Sequence, residues 1–322
     1  MVDAALLLPR DLPGDRVREY ARAAEDGGFS ELWVVEDLGF AGGIAQAAAI
    51  LAATEQLRVG LGILPVGARN LGFAAMEVAS LAGMFPGRLV CGIGHGMPGW
   101  MRQVGAWPAS PLRALEDYLV GLRALLRGET VSGGGLREVR LEAPPAVVPP
   151  VLAGVRGPRS LALAGRVADG VVLAEPASPV YLAEVRAACG EVGPEFAVVA
   201  FDVAAVGEDG AAARQRVRPA LEWIGEPDWA PHVRPLPFGA ELAELRAASP
   251  DRAAFAAALP DAWVRALTAA GTPEELRERV GALGAAGATT VVLLPADPDA
   301  RAALPGLAAA ATGRDGQRSR TL

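Results

Sequence analysis

The sequence predicts an α/β protein, a (β/α)8 TIM barrel, on three observations. Eight short apolar runs recur along the chain, each followed by a helix or a helical segment. Such alternation builds a parallel sheet, because parallel neighbours need a crossover and a helix supplies it. The 322 residues hold all eight units, which matches a closed barrel of roughly 250 residues plus insertions. An open doubly wound sheet is the alternative reading of the same pattern.

Residues 4–8 (AALLL) read as the first strand, and 15–28 as a helix with apolar positions at helical spacing and glycine at its end. The next pairs are strand 31–36 with helix 43–56, strand 58–65 with helix 73–85, and strand 88–94 with helix 111–128. Strand 150–155 leads to helix 159–168, strand 170–175 to helix 179–192, and strand 195–207 to helix 211–225. Helix 273–287 precedes the last strand, 289–295. Two stretches interrupt this rhythm. Residues 132–148 read as a short hairpin excursion before the fifth strand, and residues 226–262, rich in proline and tryptophan, as an insertion before the eighth. Loops of that length inside one domain are functional or flexible. The barrel is expected to occupy residues 1–311, with a polar, frayed tail at 312–322.

Composition removes several classes of chemistry. All 30 basic residues are arginine, so no lysine can form a Schiff base or complete a Walker-type phosphate loop. Two cysteines, Cys91 and Cys189, and two histidines are too few for a structural zinc site, and no metal is expected. A net charge of −7 does not suit nucleic-acid binding, which needs a basic face. No apolar run reaches the roughly 20 residues that span a bilayer, and the N-terminus lacks the basic, apolar layout of a signal peptide. A cytoplasmic protein is expected.

The candidate site lies at the strand ends, where barrel active sites form. The stretch GIGHGMPGW (92–100) spells the G-x-G-x-x-G of a dinucleotide fingerprint. Pro98 and the fourth-strand position argue against that reading, since the fingerprint turns directly from a first strand into a helix. A glycine-rich loop that lets the backbone approach a flat ligand is the better account. His95 stands inside it, with a side chain that titrates near neutrality. Glu36 and Asp37 end the second strand, and adjacent strand residues face opposite ways. Arg156, Gly157 and Arg159 before a helix form a plausible anion site. His232 lies in the proline-rich insertion and reads as an ordinary packed or surface residue.

Four segments in order, GGFSELWVVED (27–37), GRLVCGIGHGMPGWMRQVGAWPASPLRALEDYLVGLRALLRGE (87–129), VPPVLAGVRGPRSLALAGRVADGVVL (148–173) and GTPEELRERVGALGAAGATTVVLLP (271–295), resemble the luciferase-like superfamily of barrel oxidoreductases. The strand-end segment GRLVCGIGHG is similar to its coenzyme F420-dependent branch, the methylenetetrahydromethanopterin reductase-like enzymes. The resemblance implies a deazaflavin cofactor, with FMN as the alternative. It implies a non-proline cis peptide within Leu61, Gly62 and Ile63, backing the cofactor ring. It also implies cofactor contacts from Ile93, Gly94, His95 and Gly96, a phosphate cradle at Gly154, Val155, Arg156 and Gly157, and a contact from Glu175. His95 would move the proton, with Glu36 or Asp37 polarising it. One departure stands out: many members carry an acid followed by histidine at the second strand's end, where this chain has Glu36 and Asp37.

The expected function is therefore F420-dependent hydride transfer, in the reductive direction, to a small organic, natural-product or peptide-like substrate. An FMN-dependent monooxygenase and a non-catalytic flavin-binding barrel are the alternatives. A homodimer through the helices beside the second and third strands is the expected assembly.

Overall fold

Alternate residues of each parallel strand point inward, and the inward set here is apolar, ranging in size from alanine to tryptophan. Ala5, Leu7, Trp33, Val90, Leu152, Val172, Val199, Phe201 and Val292 fill one interior cluster. Their neighbours, such as Leu6, Leu32, Leu89, Val171 and Val291, face outward and join a larger cluster with the helices. The computed structural model describes residues 2–297 and 299–312. Its strands are β1 (Asp3–Leu7), β2 (Glu31–Val34), β3 (Arg58–Pro65), β4 (Leu89–Gly94), the pair β5 (Val131–Gly133) and β6 (Leu136–Val139), β7 (Val151–Gly154), β8 (Gly170–Leu173), β9 (Ala197–Val206), β10 (Ala269–Gly271) and β11 (Thr290–Pro295).

The barrel runs β1-β2-β3-β4-β7-β8-β9-β11, and β11 pairs back onto β1 in parallel, so the sheet closes. Closure removes the exposed sheet edges that an open sheet would leave. β10 adds a short parallel partner beside the end of β9. β5 and β6 form the antiparallel hairpin expected before the fifth barrel strand.

Helices α1 (Val17–Asp26), α2 (Gly43–Ala53), α3 (Leu71–Met84), α4 (Pro98–Gln103), α5 (Pro111–Leu126), α6 (Pro158–Val167) and α7 (Pro179–Cys189) follow in turn. Next come α8 (Gly210–Val217), α9 (Ala230–Val233), α10 (Gly239–Ala248), α11 (Arg252–Ala258), α12 (Asp261–Leu267), α13 (Pro273–Ala285) and α14 (Ala300–Thr312). Their starts are chemically marked. Asn70, Ser178, Asp209 and Asp251 cap α3, α7, α8 and α11, and Thr272 with Glu275 forms a capping box on α13.

Three sequence expectations need correction. Pro98 does not keep the glycine stretch from turning into a helix: it occupies the first turn of α4, where a missing amide costs nothing. The insertion at 226–262 is not loop but largely helical, holding α9, α10, α11 and the start of α12 around an apolar cluster it shares with β9, α8 and β10. The expected helix 211–225 ends at Val217 and continues as a 3-10 turn, Arg218–Leu221, that contains Pro219. The frayed tail expected from residue 312 begins at the last residue of α14, and its remainder lies outside the described residues.

Candidate functional site

The C-terminal mouth of the barrel is shaped by a bulge. The β3–β4 register shifts between Leu61 and Leu64, and the Gly62–Ile63 peptide is cis, at the position the resemblance implied. The Ile63 side chain then lies across glycines of β4 and β7. A Cβ on Gly154 would meet Ile63 Cγ2 at 2.5 Å, and one on Gly94 would meet Ile63 Cδ1 at 3.1 Å. Those glycines are the space that Ile63 occupies. Leu61, Ile93 and Val155, expected as contacts, are buried in the barrel–helix layer.

After β4 the chain must turn sharply. Gly96 has a φ of +71°, and a Cβ there would lie 2.9 Å from Met101 Sδ. This turn presents His95, whose Nε2 lies 3.4 Å from Ser160 Oγ at the start of α6. Its Nδ1 is buried with no partner among the described residues. Burial lowers the imidazole's pKa, so the ring is neutral at neutral pH.

Both carboxylates after β2 are already engaged. Arg69 donates both terminal nitrogens to Glu36, Nη2 reaching Oε2 at 2.9 Å, and Gly43 N donates to the same Oε2 at 2.8 Å. Glu36 thus joins the start of α2 to the loop before α3. Asp37 accepts from Arg10 Nη1 at 2.8 Å, and the Arg10 guanidinium also covers the Phe40 ring at 4.7 Å.

Across the mouth, Arg156 and Glu175 meet the insertion. The Arg156 guanidinium stacks 4.5 Å above the Trp229 ring, and its Nη1 donates to Asp228 O at 3.2 Å. Trp229 Nε1 donates to Glu175 O at 3.0 Å, and His232 Nδ1 lies 3.3 Å from Pro176 O, just past the cis Glu175–Pro176 bond. Tyr181 donates to Arg156 O at 3.2 Å and packs its ring 4.3 Å from His232. Residues 227–233 therefore clip the loop after β7 to the loop after β8. His232 is fully buried, and burial together with the Arg156 charge pushes its pKa down to about 3. The carboxyl of Glu175 is raised by burial, opposed by Arg156 and reinforced by Asp37.

The structure thus brings Glu36, Asp37, Ile63, His95, Arg156, Gly157 and Glu175 to one end of the barrel. Arg159 is exposed at the start of α6. Sequence reasoning missed Arg10, Arg69, Ser160 and Trp229. Arg10 and Arg69 each follow a strand end, the available signal, but an abundance of arginine hides it. Among the described residues no cluster of three or more His, Cys, Asp or Glu could hold a metal ion. No helix there is long and apolar enough to cross a membrane.

A closed parallel barrel with polar side chains converging at its C-terminal mouth is the architecture of a barrel enzyme. The profile of the luciferase-like monooxygenases matches residues 5–290, and the chain belongs to that family. A 5,10-methylenetetrahydromethanopterin reductase from Methanolobus tindarius is 24% identical over 299 residues, covering 88% of this chain and 91% of the relative. The coenzyme F420-dependent tetrahydromethanopterin reductase of Methanopyrus kandleri shares the fold, with a TM-score of 0.78 at 19% identity over 97% of this chain and 99% of that one. So does the FMN-bound oxygenating component of 3,6-diketocamphane monooxygenase from Pseudomonas putida, with a TM-score of 0.71 at 15% identity over 97% of this chain and 98% of that one.

Proposed function

We propose that this protein is a coenzyme F420-dependent oxidoreductase that reduces a small organic, natural-product or peptide-like substrate. The observation that carries the reading is the mouth itself: the Ile63 bulge faces the glycine-rich ends of β4 and β7, beside a helix start able to take a phosphate. The residues suit such a group. α6 has Gly157 at its N-cap with no side-chain cap, and open space surrounds the Gly157 Cα. Its free amides, with Arg156 and Arg159 alongside, favour an anion. When bound, the deazaflavin supplies or accepts a hydride, and the protein supplies position and electrostatics.

The chain's own residues then have distinct tasks. Ile63 would back the flat ring. Neutral His95, set by Ser160, can hold or pass a proton at the mouth. Glu36 fixes the rim through Arg69 and Gly43, and Asp37 polarises the opposite side through Arg10. Fluorescence titration of the apo protein with coenzyme F420 and separately with FMN tests the reading. Tight F420 binding with weak FMN binding supports it, and a preference for FMN turns the chemistry toward oxygen.

The homodimer remains part of the proposal, and the face offered for it is on α3. Phe73, Met76 and Met84 lie exposed along one face of α3. Glu77, paired with Arg69, and exposed Ser80 stand on the same face between them. These exposed apolar side chains support the reading of a second copy of this chain as the occupant, since a patch used by both copies suits a twofold contact.

A further inference from the structure

The Arg156 guanidinium is held in place but not neutralised. It lies 4.5 Å above the Trp229 ring, its Nη1 donates to the Asp228 carbonyl at 3.2 Å, and its Nη2 points to Met97 Sδ at 3.9 Å. All of these partners are neutral: a π face, a carbonyl and a thioether. Among the described residues no carboxylate comes within 4.0 Å of it. Glu175 and Asp228 act on its charge only from further away. Arg10 and Arg69, on the other side of the mouth, are by contrast each paired with a carboxylate. An arginine stays charged at any ordinary pH, so this charge persists. A guanidinium partly withdrawn from water without a counter-charge is costly, and an incoming anion offsets that cost.

The insertion supplies the grip. Trp229 is buried, and its ring is fixed from two sides: Nε1 donates to Glu175 O at 3.0 Å, and the Trp223 ring lies against it with centroids 6.1 Å apart. The Arg252 guanidinium covers the Trp223 ring at 3.7 Å. Glu226 Oε1 in turn receives Arg246 Nη2 and Arg252 Nε, each at 3.0 Å, which ties the support to α10 and α11. This chain of contacts ends in an aromatic face on Arg156. The Arg156 backbone is held by Tyr181, whose hydroxyl donates to its carbonyl at 3.2 Å, and it leads directly into Gly157, the N-cap of α6. An aromatic face orients a guanidinium without cancelling its charge, as a carboxylate in the same place would.

We propose that Trp229 is the positioning residue for Arg156: it holds the guanidinium beside the start of α6 with its charge available, so that the anionic group of the cofactor meets a cation already in place. This rests on the reading above that the start of α6 takes the cofactor's phosphate, and it gives the 226–262 insertion a task. Arg156 makes the contact with the anion, and Trp229 acts through Arg156. A side chain placed in advance loses less freedom on binding than one recruited from solvent.

The test titrates the whole protein, by fluorescence, with coenzyme F420 and with its deazaflavin core lacking the phosphate. The ratio of the two affinities isolates the anion. Trp229→Leu should lower F420 affinity about tenfold, equivalent to 1.4 kcal/mol, and leave the affinity for the phosphate-free core unchanged. Should Trp229→Leu fail to fold, Trp229→Met takes its place in the same comparison. Trp229→Phe, which keeps an aromatic face, should recover most of the loss. Arg156→Gln should show the same selective loss, and the double variant no more than Arg156→Gln alone, because the two residues act as one unit. Unchanged F420 affinity in Trp229→Leu, an equal loss for the phosphate-free core, or additive losses in the double variant overturns the proposal. Inorganic phosphate, titrated calorimetrically against the wild type and Trp229→Leu, separates this result from the cofactor reading. If the wild type binds phosphate but no F420, the cofactor reading fails, and weaker phosphate binding by Trp229→Leu still upholds the role of Trp229, whereas equal binding refutes it. A wild type that binds neither refutes both.

Discussion

Arg69 carries more of the site than its position on a loop suggests. It pairs with Glu36 and, through Nε at 3.0 Å, with Glu77 on α3. Both Glu36 and Arg69 are less than a quarter exposed, so removing one leaves a poorly solvated charge behind. Arg69→Met is expected to lower stability by about 1–3 kcal/mol in urea unfolding, and Glu36→Gln by less, because the Gly43 hydrogen bond can persist. Equal stability of Arg69→Met and wild type would remove this role.

A second residue-scale effect concerns pH. Asp202 on β9 is fully buried and receives Arg279 Nε at 2.9 Å, with one oxygen unpartnered. Burial raises its pKa to about 6, above the ordinary carboxylate value. The native state therefore holds this proton more tightly than the unfolded chain. The resulting stability is fully present below about pH 4 and is lost as pH rises through about 6, at most about 3 kcal/mol. Asp202→Asn should flatten that part of the pH profile in chemical denaturation, and an unchanged slope would contradict the assignment.

At the scale of elements, the clip formed by residues 227–233 has the opposite sign. His232 stays neutral in the native state with a pKa near 3, whereas an unfolded histidine protonates near 6.5. Its contribution is complete above about pH 6.5 and is lost as pH falls toward 3. Amide hydrogen exchange in 226–238 is expected to speed up at mildly acidic pH relative to the rest of the barrel. His232→Leu should remove that difference, and uniform exchange across the molecule would refute it. The sequence showed this insertion but not its helices. Its proline and tryptophan content reads as loop, whereas Pro227 and Pro231 sit in first turns, where proline is tolerated. The barrel strands were legible because each is a short apolar run, and β3 has the expected ends, 58 and 65. The final helix, α14, was missed because Pro305 stands inside it and alanines give it no amphipathic contrast.

At the scale of the whole molecule, the site was legible where the backbone dictates it and obscure where side chains from distant loops meet. The Ile63 bulge, Gly94–Gly96 and Arg156–Gly157 were all marked by glycine or by resemblance. The partners Arg10, Arg69, Ser160 and Trp229 come from four separate segments, and no linear pattern joins them. Assembly belongs to this scale too. Met76→Asp places a charge in the α3 stripe and should convert a dimer into a monomer by light scattering, with the fold preserved by circular dichroism. A wild-type monomer at micromolar concentration would exclude that interface.

Trp229 lies at the mouth with its ring on Arg156, and Trp223 stands 6.1 Å from it, centroid to centroid, at 36°. Two indoles so close couple optically. The pair is an intrinsic optical probe of the clip: a ligand that shifts Trp229 should change its near-ultraviolet dichroism against the signals of the other four tryptophans, among them Trp33, sealed inside the barrel. Ligand entry can be timed without attaching a dye.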